Sequence, residues 1–180
     1  MPADAPSSVP FARPLPVTDV PPRGLEIDIE ASPAEREALA ADLGILGVEA
    51  LRAHFTVTHW RRNGLRVEGR VEGRAVQACV VTLDPVEEAI DEPVEVSFLP
   101  AEAIEHTPEE LVIDPDAPDE PDPIENGRID LGALAAEHFA LGLDPYPRKP
   151  GVAYTPEENE TAEDTPFAAL ARLTKGPEGT

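Results

Sequence analysis

LRVEGRVEGRAVQACVVTL, residues 65–83, has the residue pattern of the central strand of a β-sheet. From Leu65 to Gly73 every second residue is apolar or glycine and the residues between them are charged, as in a strand with one buried and one solvated face. From Ala75 onward apolar residues fall on both faces, so the second half is predicted to be covered on two sides. Glycines inside a strand favour a bulge or a close backbone approach. We therefore expect a long strand with a partner on each edge.

The first partner is predicted from the segment that precedes this stretch. Residues 48–60 also alternate between apolar and polar side chains. Asn63-Gly64 follows, and this dipeptide favours a tight hairpin turn because both of its residues tolerate positive φ. Residues 50–61 are therefore predicted to pair antiparallel with residues 65–73.

The remaining strands are shorter. Asp84-Pro85 ends the central strand, residues 89–99 return beside it, and Leu25 to Glu30 alternates with period two. These segments predict an antiparallel β-meander of about five strands that can curl toward a barrel.

Three short helices are predicted around the sheet, which makes the fold class α+β. Ser32 and Glu35 form a capping box at the start of a helix over 33–43. Asp130 can cap a second helix over 130–142. A third, over 166–174, follows from its apolar stripe.

Proline and acidic residues set the domain boundaries. Residues 1–23 are rich in proline and are predicted to be a tail without regular structure, from which Phe11 and Leu15 can pack against the body, and residues 24–175 form the domain. Two acidic segments, about 102–127 and 151–165, bury too little apolar surface to offset their ordering entropy and are predicted to be mobile loops. Residues 176–180 are a second tail.

Composition limits the function classes. The chain has 36 acidic and 14 basic residues and a formal net charge of −22, which repels polyanions over most of the surface. Its single cysteine cannot form an internal disulfide. The first residues lack the pattern of a secretory signal, and no apolar run approaches the roughly 20 residues that span a bilayer. A soluble cytoplasmic protein without a membrane partner is expected.

No catalytic arrangement is apparent. The histidines, His54, His59, His106 and His138, do not occur at a metal-ligand spacing, and phosphate-loop, nucleophile-elbow and zinc-protease motifs are absent from the sequence. Cys79 lies in an apolar run, where a thiol is usually an inert small hydrophobe. We expect no enzyme activity, no metal, no cofactor and no small-molecule substrate. The alternative is a metal- or thiol-dependent protein centred on Cys79 and a histidine.

Basic residues are concentrated on the predicted hairpin, where few acidic residues accompany them. Such a patch, with an aromatic residue and histidines beside it, predicts a small RNA-binding face. Its candidate residues are Arg52, Trp60, Arg61, Arg62, Arg66, Arg70 and Arg74. The alternative is a solvated strand face on which Arg66, Arg70 and their glutamate neighbours pair across the hairpin for well under about 1 kcal/mol each.

Residues 73–86 (GRAVQACVVTLDPV) and 90–100 (IDEPVEVSFLP) resemble the central part of the bacterial YceD-like proteins, which are named for large ribosomal RNA subunit accumulation. Three further segments agree in order: 129–132 (IDLG), 143–147 (LDPYP) and 166–170 (PFAAL). The order of these pieces, more than any one of them, carries the resemblance.

The resemblance covers roughly residues 25–175. Many members of the family carry Cys-x-x-Cys in this region, and here Cys79 matches the first cysteine while Thr82 occupies the second position. One thiolate cannot close a structural zinc site, so a zinc or redox role is not implied for this chain. The resemblance implies a non-enzymatic ribosome biogenesis factor needed for accumulation of 23S ribosomal RNA.

The resemblance implies a partner in the large ribosomal subunit, and the charge pattern allows two kinds. The hairpin could contact 23S rRNA directly. Alternatively, the acidic segments 109–125 and 157–164 could bind a basic large-subunit ribosomal protein. The candidate residues for the second mechanism are Glu109, Glu110, Asp114, Asp116, Asp119, Glu120 and Asp122.

Overall fold

A computed structural model describes residues 9–61, 63–104 and 120–153. The chain divides into a unit of residues 1–150 and a unit of residues 151–180, and the fold below is that of the first unit. Its elements in chain order are β1 (Pro14–Pro16), β2 (Leu25–Glu30), α1 (Pro33–Leu43), β3 (Gly47–Trp60), β4 (Gly64–Ala78), β5 (Pro85–Pro100), β6 (Asp122–Ile124), β7 (Arg128–Asp130) and α2 (Leu131–Leu141). Single 3-10 turns occupy Val17–Asp19 and Ala101–Ala103.

Five strands form one sheet in the order β2-β3-β4-β5-β6, and β1 pairs separately with β7. The predicted α+β class and the predicted β3–β4 hairpin are confirmed. The prediction that the sheet can curl toward a barrel is wrong, because the sheet is open, with β2 and β6 as its outer strands. The predicted antiparallel meander is also incomplete, because β6 pairs with β5 in parallel. A parallel pair needs a long connection between its strands, and residues 101–121 provide one.

The alternation in β3 and β4 is confirmed. Leu65, Val67 and Val71 of β4 are fully buried, and they lie opposite His59, Val57 and Ala53 of β3. The close backbone approach predicted at the glycines is present as well: a Cβ on Gly69 would stand 2.0 Å from the His54 carbonyl oxygen. The bulge itself is in β3, between Val48 and Ala50.

The second half of the central stretch departs from the prediction. β4 ends at Ala78 and a turn follows, in which the Leu83 N–H donates to the Cys79 carbonyl at 2.9 Å. Leu83 has a φ of 61° and, with Val80, is largely exposed. The stretch is therefore not covered on two faces. Apolar composition alone did not reveal that a turn precedes Asp84-Pro85.

Both described helices begin at their predicted caps. Ser32 and Glu35 form the capping box of α1, and Asp130 accepts hydrogen bonds from the Gly132 and Ala133 N–H groups at the start of α2. Leu141, the last residue of α2, is 71% exposed. The third predicted helix, over 166–174, lies outside the described residues.

The segment before β2 has more regular structure than its prolines predict. Phe11 is fully buried in the core, and Pro14–Pro16 pairs antiparallel with Arg128–Asp130. Proline is tolerated in β1 because this is a two-stranded ladder with a free outer edge. Part of the acidic segment 102–127 has regular structure too, since it supplies β6, and β7 follows directly after it.

Both helices pack on the same face of the sheet. Leu39 of α1 and Phe139 of α2 belong to one buried cluster with the inward residues of β3 and β4. Gly73 makes room for α2, because its Cβ would stand 2.6 Å from the Phe139 ring. The result is a two-layer arrangement of helices on a sheet, whose other face is polar.

Candidate interaction surfaces

The polar face of the sheet, here called the open face, collects the hairpin arginines predicted to bind RNA. The strand register defines its members. They are Glu26, Asp28 and Glu30 on β2, Arg52, His54, Thr56 and Thr58 on β3, Arg66, Glu68, Arg70, Glu72 and Arg74 on β4, and Ala89, Asp91, Pro93, Glu95 and Ser97 on β5.

Every arginine of the open face is paired with a carboxylate. The Arg52 Nε lies 3.1 Å from a Glu72 oxygen, and an Arg66 amine lies 2.5 Å from a Glu95 oxygen. Arg70 pairs with Asp91, and the Arg74 Nε is 3.8 Å from a Glu49 oxygen. The open face therefore brings four candidate RNA-binding arginines together and neutralises each of them.

The comparison of acidic and basic residues along the hairpin sequence left out the carboxylates that neighbouring strands contribute. Glu95 and Asp91 come from β5, and the acidic row Glu26, Asp28 and Glu30 comes from β2. Asp28 lies 2.8 Å from the His54 ring nitrogen. Strand pairing brings these residues beside the arginines from 20 or more positions away, a relation that no local pattern records.

Two of the candidate RNA-binding residues lie at the end of the hairpin instead. Trp60 is the last residue of β3, and the Arg61 guanidinium stacks over its ring, 4.2 Å from the ring centroid. Arg61 and Asn63 take positive φ values of 47° and 60°. Arg62 is outside the described residues. Among the described residues, Arg61 makes no ion pair with a carboxylate.

Two residues of the predicted acidic patch are described. Glu120 and Asp122 are exposed, and Asp122 begins β6. The other candidates, Glu109, Glu110, Asp114, Asp116 and Asp119, lie outside the described residues.

A groove lies between the β6–β7 connection and α2, and we call it the β6–α2 groove. Its volume is about 420 Å³. Apolar side chains line it, with polar and charged ones among them. The lining residues are Val9, Pro14, Phe98, Asp122, Pro123, Glu125, Asn126, Arg128, Ile129, Asp130, Ala133, Leu134 and Glu137.

The turn between β6 and β7, which shapes this groove, was not predicted from the sequence. Asn126 and Gly127 have φ values of 49° and 71°, and the Arg128 N–H donates to the Glu125 carbonyl at 3.0 Å. Asn-Gly is the same hairpin signal that located the β3–β4 turn. It was overlooked because the strands around it have only three residues each and lie in a segment rich in acid and proline.

Cys79 lies in the turn after β4, not within a strand. Its side chain is fully buried, and the Lys149 N–H donates to its sulfur at 3.4 Å. The Thr82 hydroxyl and the N–H groups of Lys149, Thr82 and Val81 lower the pKa of the thiol to about 6, because together they stabilise the thiolate more than burial disfavours it. Thr82, at the second position of the family's cysteine pair, is thus one cause of the lowered pKa of Cys79, and its hydroxyl also lies 3.2 Å from a carboxylate oxygen of Asp84.

The described residues contain no group of three or more histidine, cysteine or acidic side chains that could hold a metal ion. Cys79 contacts neither His54 nor His59. No described helix combines the length and the apolar character required to span a bilayer.

The protein is thus an α+β domain with an open, mostly antiparallel five-stranded sheet and surfaces rich in carboxylates. A family model described as "Large ribosomal RNA subunit accumulation protein YceD" matches residues 67–174. This is more than half of the chain, and the chain belongs to that family. The match begins in β4 and includes β5 to α2, with the Cys79 turn and most of the groove.

Comparison with curated proteins and with solved structures gives no match to this chain. The family model confirms the resemblance seen in the sequence, and its name points to the large ribosomal subunit and its RNA.

Proposed function

We propose that this protein is a non-enzymatic cytoplasmic factor for 23S rRNA accumulation and large-subunit assembly, and that it acts by binding a basic large-subunit ribosomal protein through its acidic surfaces. The family description supports the role in accumulation of the RNA and names no reaction. The electrostatics of the described surface support the mode of action.

The pairing on the open face is the observation that carries this choice. A protein that grips RNA through arginines needs those guanidinium groups available to phosphate. Here Arg52, Arg66, Arg70 and Arg74 each have a carboxylate within 4 Å, which competes with phosphate for the same donors. Together with a net charge of −22, this makes a basic protein the better electrostatic complement.

Direct contact with rRNA through the hairpin end is a second candidate. The observation that favours it is the Trp60–Arg61 pair, which presents an aromatic ring and a cation together where no described carboxylate pairs with Arg61. Stacking of an unpaired base on an aromatic ring or a guanidinium plane is a common mode of RNA recognition. Such contact would be local and sensitive to salt.

Crosslinking and pull-down of the tagged full chain from growing cells, at two salt concentrations, tests both mechanisms. RNA and protein are identified from the same sample. One variant carries Glu120→Gln and Asp122→Asn with the amide substitutions of Glu109, Glu110, Asp114, Asp116 and Asp119. Its control removes carboxylates from the open face through Glu26→Gln and Glu30→Gln.

A second variant, Arg61→Ser with Arg62→Ser, tests the hairpin end. Its control is Arg23→Ser with Arg148→Ser, which removes the same charge elsewhere. Recovery of a basic large-subunit protein that only the first variant loses supports the proposed function. Recovery of 23S fragments that only the hairpin variant loses, with no ribosomal protein captured, would replace it with direct RNA contact.

A further inference from the structure

We propose that the β6–α2 groove binds an extended segment of a protein partner in which lysine or arginine alternates with apolar residues. This inference rests on the proposed function and gives it a defined place on the molecule: Asp122 and Glu125 belong to the acidic segment 109–125, and the apolar floor and Glu137 lie outside that segment. It combines an apolar floor with carboxylates that no described residue neutralises.

The floor of the groove is apolar and belongs to the core. Phe98, Ile129 and Leu134 are each at least 90% buried, and Pro14 and Pro123 form walls from β1 and β6. A volume of about 420 Å³ is within the range of sites that accept a ligand or a few side chains. An apolar side chain entering the groove would lose contact with water on most of its surface.

The rim of the groove carries exposed carboxylates. Asp122, Glu125 and Glu137 make no ion pair with another described residue, in contrast to the carboxylates beside the arginines of the open face. Arg128 also lines the groove and is engaged in an interaction of its own. A ligand cation would therefore meet carboxylates with no competing described partner, whereas a phosphate would be repelled.

The walls of the groove are held in place before any ligand arrives. The Asp130 Oδ1 accepts from the Arg13 N–H at 2.6 Å as well as from the first turn of α2, which ties β1 to the helix. The Leu131 N–H donates to the Arg13 carbonyl, and the Val17 N–H donates to the Gly127 carbonyl. A preorganised groove loses less entropy on binding than a loop that must order.

These features select the occupant. Cationic side chains alone would be satisfied by acidic surface anywhere on this chain, and apolar side chains alone would gain nothing from the rim. A segment that alternates the two places its apolar side chains on the floor and its cations at Glu125 and Glu137. Basic extensions of RNA-binding proteins can provide such segments.

The test titrates the full chain into the fluorescein-labelled peptide Lys-Leu-Arg-Leu-Lys-Leu-Arg and follows fluorescence anisotropy. One control peptide replaces leucine with serine, and another replaces the basic residues with glutamine. The protein variants are Glu125→Gln with Glu137→Gln, which removes rim charge, and Ala133→Leu, which fills the groove without a change in charge. The matched control is Glu26→Gln with Glu30→Gln on the open face.

We expect both groove variants to weaken binding on the order of tenfold and the control pair to change it less than about twofold. Each control peptide should bind about tenfold more weakly than the parent peptide. Thermal unfolding of each variant shows whether the fold is retained, and Glu125 and Glu137, being exposed, are expected to be replaceable without loss of stability.

Equal weakening by the groove pair and the control pair would overturn the inference, because binding would then follow net charge. Sedimentation that reveals a dimer lost in Ala133→Leu would also overturn it, since a second copy would then fill the groove.

The cellular crosslinking experiment separates the two proposals. If wild type and Glu125→Gln/Glu137→Gln capture the same ribosomal protein equally, the groove inference fails and the proposed function stands. If wild type captures no ribosomal protein while the peptide still binds in a groove-dependent manner, the proposed function fails and the groove specificity stands.

Discussion

The open face and the β6–α2 groove are both rich in carboxylates, but they differ in what those carboxylates face. On the open face, Glu72, Glu95 and Asp91 lie against arginines of the neighbouring strand. In the groove, Glu125 and Glu137 have no described cation as a partner and stand beside apolar side chains. On the first surface each arginine has a carboxylate partner, and the carboxylates without a described partner, Glu26, Glu30 and Glu68, stand on a polar strand face. In the groove, the carboxylates without a described partner stand beside apolar side chains that a ligand can also contact.

A high local density of charged residues therefore does not by itself locate an interaction site. Six of the chain's arginines lie between Arg52 and Arg74, which made the hairpin the most conspicuous feature of the sequence. Pairing across strands turns most of that feature into ordinary surface ion pairs. The groove, built from short strands in an acidic segment, was inconspicuous and is the better candidate for binding.

The largest expected effect comes from Gly69→Ala, which disrupts the sheet that carries the open face. A Cβ there would stand 2.0 Å from the His54 carbonyl oxygen and 3.0 Å from the Phe55 Cα, both backbone atoms that cannot move aside independently. We expect a loss of about 3 kcal/mol or more in the free energy of unfolding, measured by urea denaturation.

Gly47→Ala is the matched control, since it is also a glycine in a strand and its Cβ would meet nothing closer than Val76 at 4.0 Å. It should change stability by less than about 1 kcal/mol. Equal effects of the two substitutions would contradict the close approach at Gly69.

Glu35→Gln tests the contacts that hold the groove's β1 wall. The Glu35 carboxylate receives both amines of Arg13, at 2.6 and 3.0 Å, and the Ser32 N–H at 2.8 Å. Its removal should cost about 1–2 kcal/mol in thermal or urea unfolding. Glu37→Gln, exposed on the same helix, should cost less than about 0.5 kcal/mol.

The same contact predicts a pH dependence. The hydrogen bond from Arg13, together with those of Ser32, lowers the pKa of Glu35 from 4.5 to about 2, so the folded state favours the ionised carboxylate. The stabilisation is complete above pH 4.5 and is lost as the pH falls toward 2. The stability difference between wild type and Glu35→Gln should therefore shrink between pH 5 and pH 2, and a constant difference would argue against the ion pair.

A smaller effect is expected from the open-face pairs. A double-mutant cycle with Arg70→Ser and Asp91→Asn should give a coupling free energy below about 1 kcal/mol that declines with added salt, because both side chains are more than half exposed. A cycle between Arg70→Ser and Glu26→Gln, which are not in contact, should give no coupling. Coupling well above this range would mean that the open face is a structural network.

The smallest expected effect is a change in the pKa of Cys79. In the turn that contains Cys79, hydrogen-bond donors surround the thiol. Thr82→Ala should raise the pKa of Cys79 above about 6, since the Thr82 hydroxyl is the strongest of the donors to its sulfur. Thiolate absorbance as a function of pH measures the change. Thr18→Ala, in an exposed turn, should leave the titration unchanged.

Several features could be predicted because they depend on near neighbours in the chain. The Ser32–Glu35 box placed the start of α1, Asp130 placed α2, and Asn63-Gly64 placed the β3–β4 hairpin. Asn126-Gly127 is an equivalent signal for the β6–β7 turn, but it lies at the end of a segment that was predicted to be a mobile loop. The resemblance to the YceD family was likewise present in the order of short segments.

The amino-acid sequence was thus enough to indicate the α+β class, the helix caps, the two-faced β3–β4 hairpin, the net charge and the family. The folded structure was needed to show which carboxylate meets which arginine, that β6 lies parallel to β5, that Pro14–Pro16 forms a strand, and that a groove forms beside α2. These two sets of features differ in how far apart along the chain the interacting residues lie. Caps, turns and alternation depend on residues within a few positions, whereas ion pairs and grooves depend on strand register between segments far apart in the chain.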